Sequence, residues 1–265
     1  MIKQVQFKEA AVNYSVEGSG DTMVFLHGYL ESLEIWTPFI RRFTDNYRVI
    51  SVDLPGHGKS GVWGENHSME ELAEAVKLVM EEENVSRTVM FGHSLGGYVT
   101  MAFADRYPDL LKGYALFHST CFADNEEKKK NRDREISLVR CGKKLQIVNS
   151  SIPKGFADSN LERMNEEVNR VKKMAAKTPD EGIIAILNGM KQRADRSNVL
   201  KLPVPPPLII WGEKDNYIPE EVFKKLVNTA PHASVVILKN SGHMGFLEEP
   251  DCVYSGILNY LSELE

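Results

Sequence analysis

Short runs of apolar residues alternate along this chain with longer segments whose apolar positions recur every three to four residues. Residues 2 to 17 alternate in the manner of a hairpin, and "TMVFLHG" then reads as a buried strand that stops at Gly28. "YRVISVDLPGHG" repeats the pattern. A helix beginning near Met69, the strand "TVMFG", a helix from Leu95 to Arg106 and the strand "GYALFHS" follow. The first of these helices carries its own start signal, because Ser68 can cap it while Glu71, three residues on, completes a capping box. Apolar strands alternating with helices predict an α/β domain: a mostly parallel central sheet with helices on both faces.

Between about Ala123 and Leu200 the strand signal disappears and amphipathic segments take over, until "LPVPPPLIIWGEKD" resumes the sheet. The spacing therefore predicts a core of residues 1–122 and 201–265 interrupted by a helical insertion at 123–200. That insertion holds 17 basic and 12 acidic side chains, so it carries about +5 and the rest of the chain about −10. Within it, the interleaved signs of "EEKKKNRDRE" read as a solvated helix face, and Met164, Val168, Val171 and Met174 read as packing residues. Pro205 to Pro207 form a stiff lead-in to the next strand.

The net charge of −5 gives no reason to expect nucleic acid as a partner. Three cysteines, Cys121, Cys141 and Cys252, are odd in number and lack metal-ligand spacing, so no disulfide framework or metal site is expected and a reducing cytoplasm fits. No charged leader runs into an apolar stretch and no apolar run approaches 18 residues, so neither secretion nor a membrane is expected. Nothing indicates the oligomeric state.

The chemistry concentrates at "FGHSLGGYVT". Gly92, His93, Ser94, Leu95 and Gly96 satisfy GxSxG where a strand must turn sharply into a helix, a turn that strains the serine backbone and leaves room only for glycine two positions either side. A serine hydroxyl is a poor nucleophile at neutral pH unless a histidine takes its proton and a third group orients that histidine. "IIWGEKDNYIP" offers Asp215 after one strand, and "VVILKNSGHMGFLEEP" offers His243 after the next. Singly, Asp215 also reads as a turn residue and His243 as a loop histidine. Together, in the order Ser, Asp, His, they form a candidate catalytic triad.

With "FLHGYLES", "SVDLPGHGKS", "FGHSLGG", "WGEKD" and "SGHMGFLEEP" in place, the chain resembles the α/β-hydrolase fold superfamily over nearly its whole length. The resemblance implies that the insertion is a cap over the active site, and that the backbone N–H groups of Tyr29 and Leu95 form the oxyanion hole. It implies structural roles for His27, Asp53 and His57, and a substrate pocket touching Tyr29 and His118, with Trp36 and Tyr98 as aromatics that either face substrate or pack in the core; the amphipathic pattern of the insertion adds Leu187, with Ile183 and Met190, as apolar cap positions over that pocket. Asp124, near a strand end where some relatives place their acid, is the weaker alternative to Asp215. Serine at the elbow argues against the epoxide hydrolases and haloalkane dehalogenases, which use aspartate there. Neither the "GPG" loop common among carbon–carbon bond hydrolases nor the arginine of the vitamin K pathway enzyme is present, Tyr98 standing at the latter position. The expected activity is a cofactor-free serine hydrolase acting on a carboxylic ester, thioester or related acyl bond of a small molecule. Carbon–carbon hydrolysis, acyl transfer, perhydrolysis and a non-catalytic receptor stay open as alternatives.

Overall fold

In the computed structural model, which describes residues 1–201 and 206–264, eight strands form one sheet. They are β1 (Ile2–Phe7), β2 (Ala10–Glu17), β3 (Asp21–Leu26), β4 (Tyr47–Val52), β5 (Thr88–His93), β6 (Leu111–Phe117), β7 (Leu208–Gly212) and β8 (Ser234–Leu238). Their spatial order is β1-β2-β4-β3-β5-β6-β7-β8. The β1–β2 hairpin is antiparallel and joins β4 antiparallel, whereas every pairing from β4 onward is parallel. The helices are α1 (Thr37–Ile40), α2 (Met69–Glu82), α3 (Leu95–Arg106), α4 (Glu126–Arg140), α5 (Lys144–Lys154), α6 (Asn165–Ala176), α7 (Asp180–Gln192), α8 (Glu220–Thr229), α9 (Gly245–Glu248) and α10 (Pro250–Glu263). The alternating apolar strands and helices of the sequence therefore fold as the expected α/β sheet. Of the proline lead-in, Pro205 lies outside the described residues.

Continuous apolar runs in the central strands bury both faces of the sheet, and successive side chains feed opposite layers. Val24, Leu26, Ile50 and Val52 join the cluster built with α2 and α3, while Met23, Phe25, Val49 and Phe91 join the one built with α1 and α10. The start of α2 is fixed locally. Ser68 Oγ accepts from the Glu71 N–H and Glu71 Oε2 accepts from the Ser68 N–H, a capping box that stabilises a helix by about 1 kcal/mol. Among the described residues no helix is long and apolar enough to cross a membrane.

Parallel strands all present their carboxyl ends to one edge, and ligands of such sheets bind there, where the strand order reverses. Here the reversal lies between β3 and β5. Helices α4 to α7 leave β6 and return to β7, with α4 packed on α7 and α5 on α6, so they stand over that edge.

Candidate active site

Ser94 sits between β5 and α3 with φ 49° and ψ −110°, a left-handed backbone that a non-glycine residue adopts only under strain. The surroundings hold it there. Its N–H donates to the Phe117 carbonyl at 2.9 Å, and its carbonyl accepts from Ser119 Oγ at 2.7 Å. The flanking glycines are required by close approach: a methyl at Gly92 would collide with the Gly96 carbonyl and Thr100 Oγ1, and one at Gly96 with the Leu26 carbonyl. These two glycines thus let α3 lie against the ends of β3 and β5, while Gly97 leaves room for the Ser119 side chain. The Ser94 hydroxyl has no hydrogen-bond partner among the described residues and lines a cavity of about 560 Å³ together with His243.

His243, in the loop after β8, is anchored by its N–H donating to the Gly155 carbonyl at 2.7 Å. Its Nδ1 lies 2.8 Å from Asp215 Oδ2 and 3.0 Å from Oδ1, which leaves Nε2 as the free ring nitrogen. Asp215 follows β7 and is nearly buried, yet all its lone pairs are used: Oδ1 accepts from the N–H groups of Tyr217 at 2.8 Å and Ile218 at 3.0 Å. Burial alone would raise its pKa, but His243 and His118 beside it hold the carboxyl far below the usual range. It is a carboxylate at any working pH.

The loop after β3, where the oxyanion hole is expected, is tied down almost completely. Gly28 N–H donates to Glu31 Oε2 at 2.6 Å, Leu30 N–H to His57 Nε2 at 3.2 Å and Glu31 N–H to the Gly28 carbonyl at 3.3 Å, with Leu30 at φ 63°. Of residues 28 to 31 only Tyr29 keeps an N–H without an acceptor among the described residues, and the Leu95 N–H at the start of α3 has none there either. His27 braces the loop, its ring meeting the Gly28 carbonyl at 2.7 Å and accepting from the Leu54 N–H at 2.9 Å. Asp53 holds turns through Asn13, Leu33 and Lys59.

The cavity wall departs from the expected one in three places. His118 does not line it. This residue has φ 48°, its N–H extends the β6–β7 pairing by donating to the Ile210 carbonyl, and its fully buried ring turns behind Asp215. There Nε2 accepts from the Gly245 N–H at 3.2 Å, which fixes the tautomer so that Nδ1–H donates to Asp215 Oδ2 at 3.1 Å. Burial pushes its pKa down to about 4, so it is a neutral donor. Leu187 is likewise absent from the wall: α7 docks flush on the core, its Gly182 and Gly189 passing against the backbone of Gly56 and His67, and Leu187 is wholly buried in the layer beneath. Ile183 is buried as well, and of the three apolar positions expected on α7 Met190 alone meets the cavity. Finally, α4 is not simply a solvated face, because Lys128, Asn131, Arg132 and Glu135 line the cavity. Arg132 and Arg193 converge on the buried carboxylate of Asp124, and Glu135, whose pKa burial raises, accepts from the Tyr29 hydroxyl at 3.2 Å. This pairing leaves Asp124 no part in a triad.

Tyr29 and Tyr98 line the cavity, with the Arg193 guanidinium 3.9 Å above the Tyr98 ring, whereas Trp36 is core. Val171 touches the cavity from α6, and Val168 and Met174 pack in the layer below. Sequence reading also passed over Glu31 and His93, which sit inside the quoted motifs and are buried beneath the site. The ligand atoms of His118, Asp215 and His243 lie within 4.8 Å of one another, a spacing a metal ion could bridge, but the hydrogen bonds above already engage the carboxylate and both Nδ1 atoms.

Residues 21–250 match the model of the alpha/beta hydrolase fold family. The chain is 29% identical over 94% of its length to a dihydrolipoyllysine-residue acetyltransferase component of the acetoin cleaving system of Pseudomonas putida, of which the match spans 65%. It is 24% identical to the (E)-2-((N-methylformamido)methylene)succinate hydrolase of Acinetobacter baylyi, over 94% of this chain and 93% of that one. Among solved structures, a thermophilic esterase from Thermogutta terrifontis superposes with a TM-score of 0.93 at 27% identity, covering 100% of this chain and 99% of the other.

Proposed function

The chain belongs to the alpha/beta hydrolase fold family, and from that premise we propose that it is a serine hydrolase cleaving a carboxylic ester, thioester or related acyl bond of a small-molecule substrate. One observation carries the reading: Tyr29, whose backbone N–H has no acceptor among the described residues, and Ser94, whose hydroxyl has no partner among them, line the same cavity as His243, whose Nδ1 is held by a carboxylate.

In this reading His243 Nε2 takes the Ser94 proton as Oγ attacks the substrate carbonyl carbon. Negative charge collects on the carbonyl oxygen, where the N–H groups of Tyr29 and Leu95 stabilise it; one such donor contributes about 2.7–4 kcal/mol to the transition state. His243 then gives its proton to the leaving alcohol or thiol, the C–O or C–S bond breaks, and an acyl-Ser94 ester remains. Water, deprotonated by the same nitrogen, attacks that ester; the bond from the acyl carbon to Ser94 Oγ breaks, His243 returns the proton to Oγ, and the acid is released. Asp215 fixes the His243 tautomer throughout and is never protonated. These steps use no metal or organic cofactor.

Residues 123–200 act as a cap that selects the substrate, a role supported by the contributions of α4, α5, α6 and α7 to the cavity wall. The esterase likeness supports water as the acceptor, and the acetyltransferase relative supports testing alcohols and thiols as competing acceptors. The decisive test is Ser94→Ala with a fluorophosphonate probe and p-nitrophenyl esters of graded chain length. Labelling and esterase activity should both vanish, and full labelling of the variant would overturn the assignment.

A further inference from the structure

Beneath the candidate site lies a pair of groups that the mechanism above does not use. Glu31, on the oxyanion loop, and His93, the residue before Ser94, are both buried, with Nδ1 of the imidazole 3.0 Å from Glu31 Oε2. The other ring nitrogen, Nε2, lies 2.9 Å from the backbone carbonyl oxygen of His243. A carbonyl oxygen only accepts, so Nε2 carries a proton. Glu31 Oε2 also receives the Gly28 N–H, at 2.6 Å, and a carboxylate that accepts several N–H groups is held ionised, so the proton shared with Nδ1 resides on the ring.

Resting on the reading of Ser94 as nucleophile, we propose that Glu31 and His93 are a positioning pair: a buried carboxylate and a doubly protonated imidazole that clamp the oxyanion loop to the elbow and to the loop of the general base. The clamp joins three segments distant in sequence, through Gly28, His93 and the carbonyl of His243. It also explains Gly28, since a Cβ there would lie 2.7 Å from His93 Nδ1 and 3.0 Å from Glu31 Oε1. With Gly28 N–H consumed by the carboxylate, the next N–H, that of Tyr29, is the one left for substrate.

The remaining surroundings of His93 agree. Its ring has aromatic neighbours Trp36, Phe117 and Phe246, which cannot accept the charge, and the histidine rings of His243 at 5.0 Å and His118 at 6.1 Å, the latter neutral. Asp215 and Glu31 are the negative groups that face it, and His27 stands nearby. Burial alone would lower the imidazole pKa, and Glu31 reverses the direction; burial alone would raise that of Glu31, and His93 reverses it.

The charge state and the positioning role are read separately. Side-chain 15N NMR of the intact protein should show His93 as an imidazolium from pH 6 to 8.5, and as a neutral ring in Glu31→Gln, whose uncharged amide, set at the Oε2 place that the Gly28 N–H and His93 Nδ1 share, supplies no negative charge to hold the second proton. On p-nitrophenyl esters Glu31→Gln should lower kcat about 10²-fold with KM within about twofold, since misplacing a transition-state donor by about 1 Å costs that much. Glu31→Asp should fall between. A neutral His93 at pH 7 in the unmutated protein, or kcat of Glu31→Gln within about twofold of it, overturns the proposal. The NMR result decides the charge state even if a variant fails to fold. Retained activity in Ser94→Ala would defeat the catalytic reading while leaving the ionised pair standing.

Discussion

Replacing Asp215 by asparagine tests the polar architecture behind Ser94 most directly, because every lone pair of the carboxylate is assigned. Oδ1 accepts from the Tyr217 and Ile218 N–H groups, so the amide oxygen of the introduced asparagine takes that place and its NH₂ points where Oδ2 was. There it meets two ring nitrogens. His243 can change tautomer, accept the amide proton on Nδ1 and carry its own proton on Nε2, which removes the lone pair that acts as base in the proposed mechanism. For triads of this kind that exchange lowers kcat about 10⁴-fold, or about 5.6 kcal/mol at about 1.4 kcal/mol per decade. His118 cannot follow, since its Nε2 is committed to the Gly245 N–H, so a buried donor is set against a donor at a cost of about 1–3 kcal/mol. The expected result is therefore twofold: kcat on p-nitrophenyl esters falls by about four decades, and urea unfolding shows a loss of about 1–3 kcal/mol that shrinks in a double-mutant cycle with His118→Ala. A kcat within tenfold of the unmutated protein, or a stability loss indifferent to His118, would refute this account of the network.

Two further outcomes follow from the corrected wall. The folded pKa of His118 is about 4, below the unfolded value of about 6.5, so the unfolded chain binds the extra proton; its contribution to stability is full above pH 6.5 and is lost as pH falls toward 4. His118→Gln should remove about 2–3 kcal/mol of the difference in urea-unfolding free energy between pH 7.5 and 4.5, although His27, His57 and His67, also held neutral by burial, keep part of that limb. An unchanged difference would place the acid sensitivity elsewhere. Met190→Ala should shift the kcat/KM ratio between short and long acyl esters several-fold, whereas Leu187→Ala should cost about 2–5 kcal/mol of stability and leave that ratio alone. The reverse pattern would return Leu187 to the cavity.

The positions of Ser94, Asp215 and His243 were legible in the chain because each is set by local signals: glycines where a strand meets a helix, or a short polar loop that follows an apolar run. The hairpin, the parallel core and the capped start of α2 were legible for the same reason. His118 was not, because which way a strand-end side chain turns is decided by a left-handed backbone and by a bond to Ile210 on the neighbouring strand, neither of which leaves a mark in "LFHST". Leu187 and Met190 differ by three positions on one helix, and only the close passage of Gly182 and Gly189 over the core fixes that helix's rotation. Alternating charges in α4 read as solvated because composition cannot separate a face in bulk water from one that lines a cavity. The partner that buries Arg132, Asp124, precedes the helix, and Arg193 arrives from beyond α7.

Backbone strain shows how these layers depend on one another. Leu30, Ser94 and His118 all have positive φ, and they follow the carboxyl ends of three neighbouring strands, β3, β5 and β6. Each such residue costs on the order of 1–3 kcal/mol and persists only where its surroundings over-determine it. The determinants are named bonds: His57 to Leu30, the Phe117 carbonyl and Ser119 to Ser94, Ile210 and Gly245 to His118. Every one of them comes from another segment of the chain, and most come from a neighbouring strand end. The strained edge is therefore a property of the assembled sheet rather than of any motif. GxSxG marks where the hydroxyl can be lifted, while the apolar layers on both faces of β3, β5 and β6 supply the free energy that keeps it there.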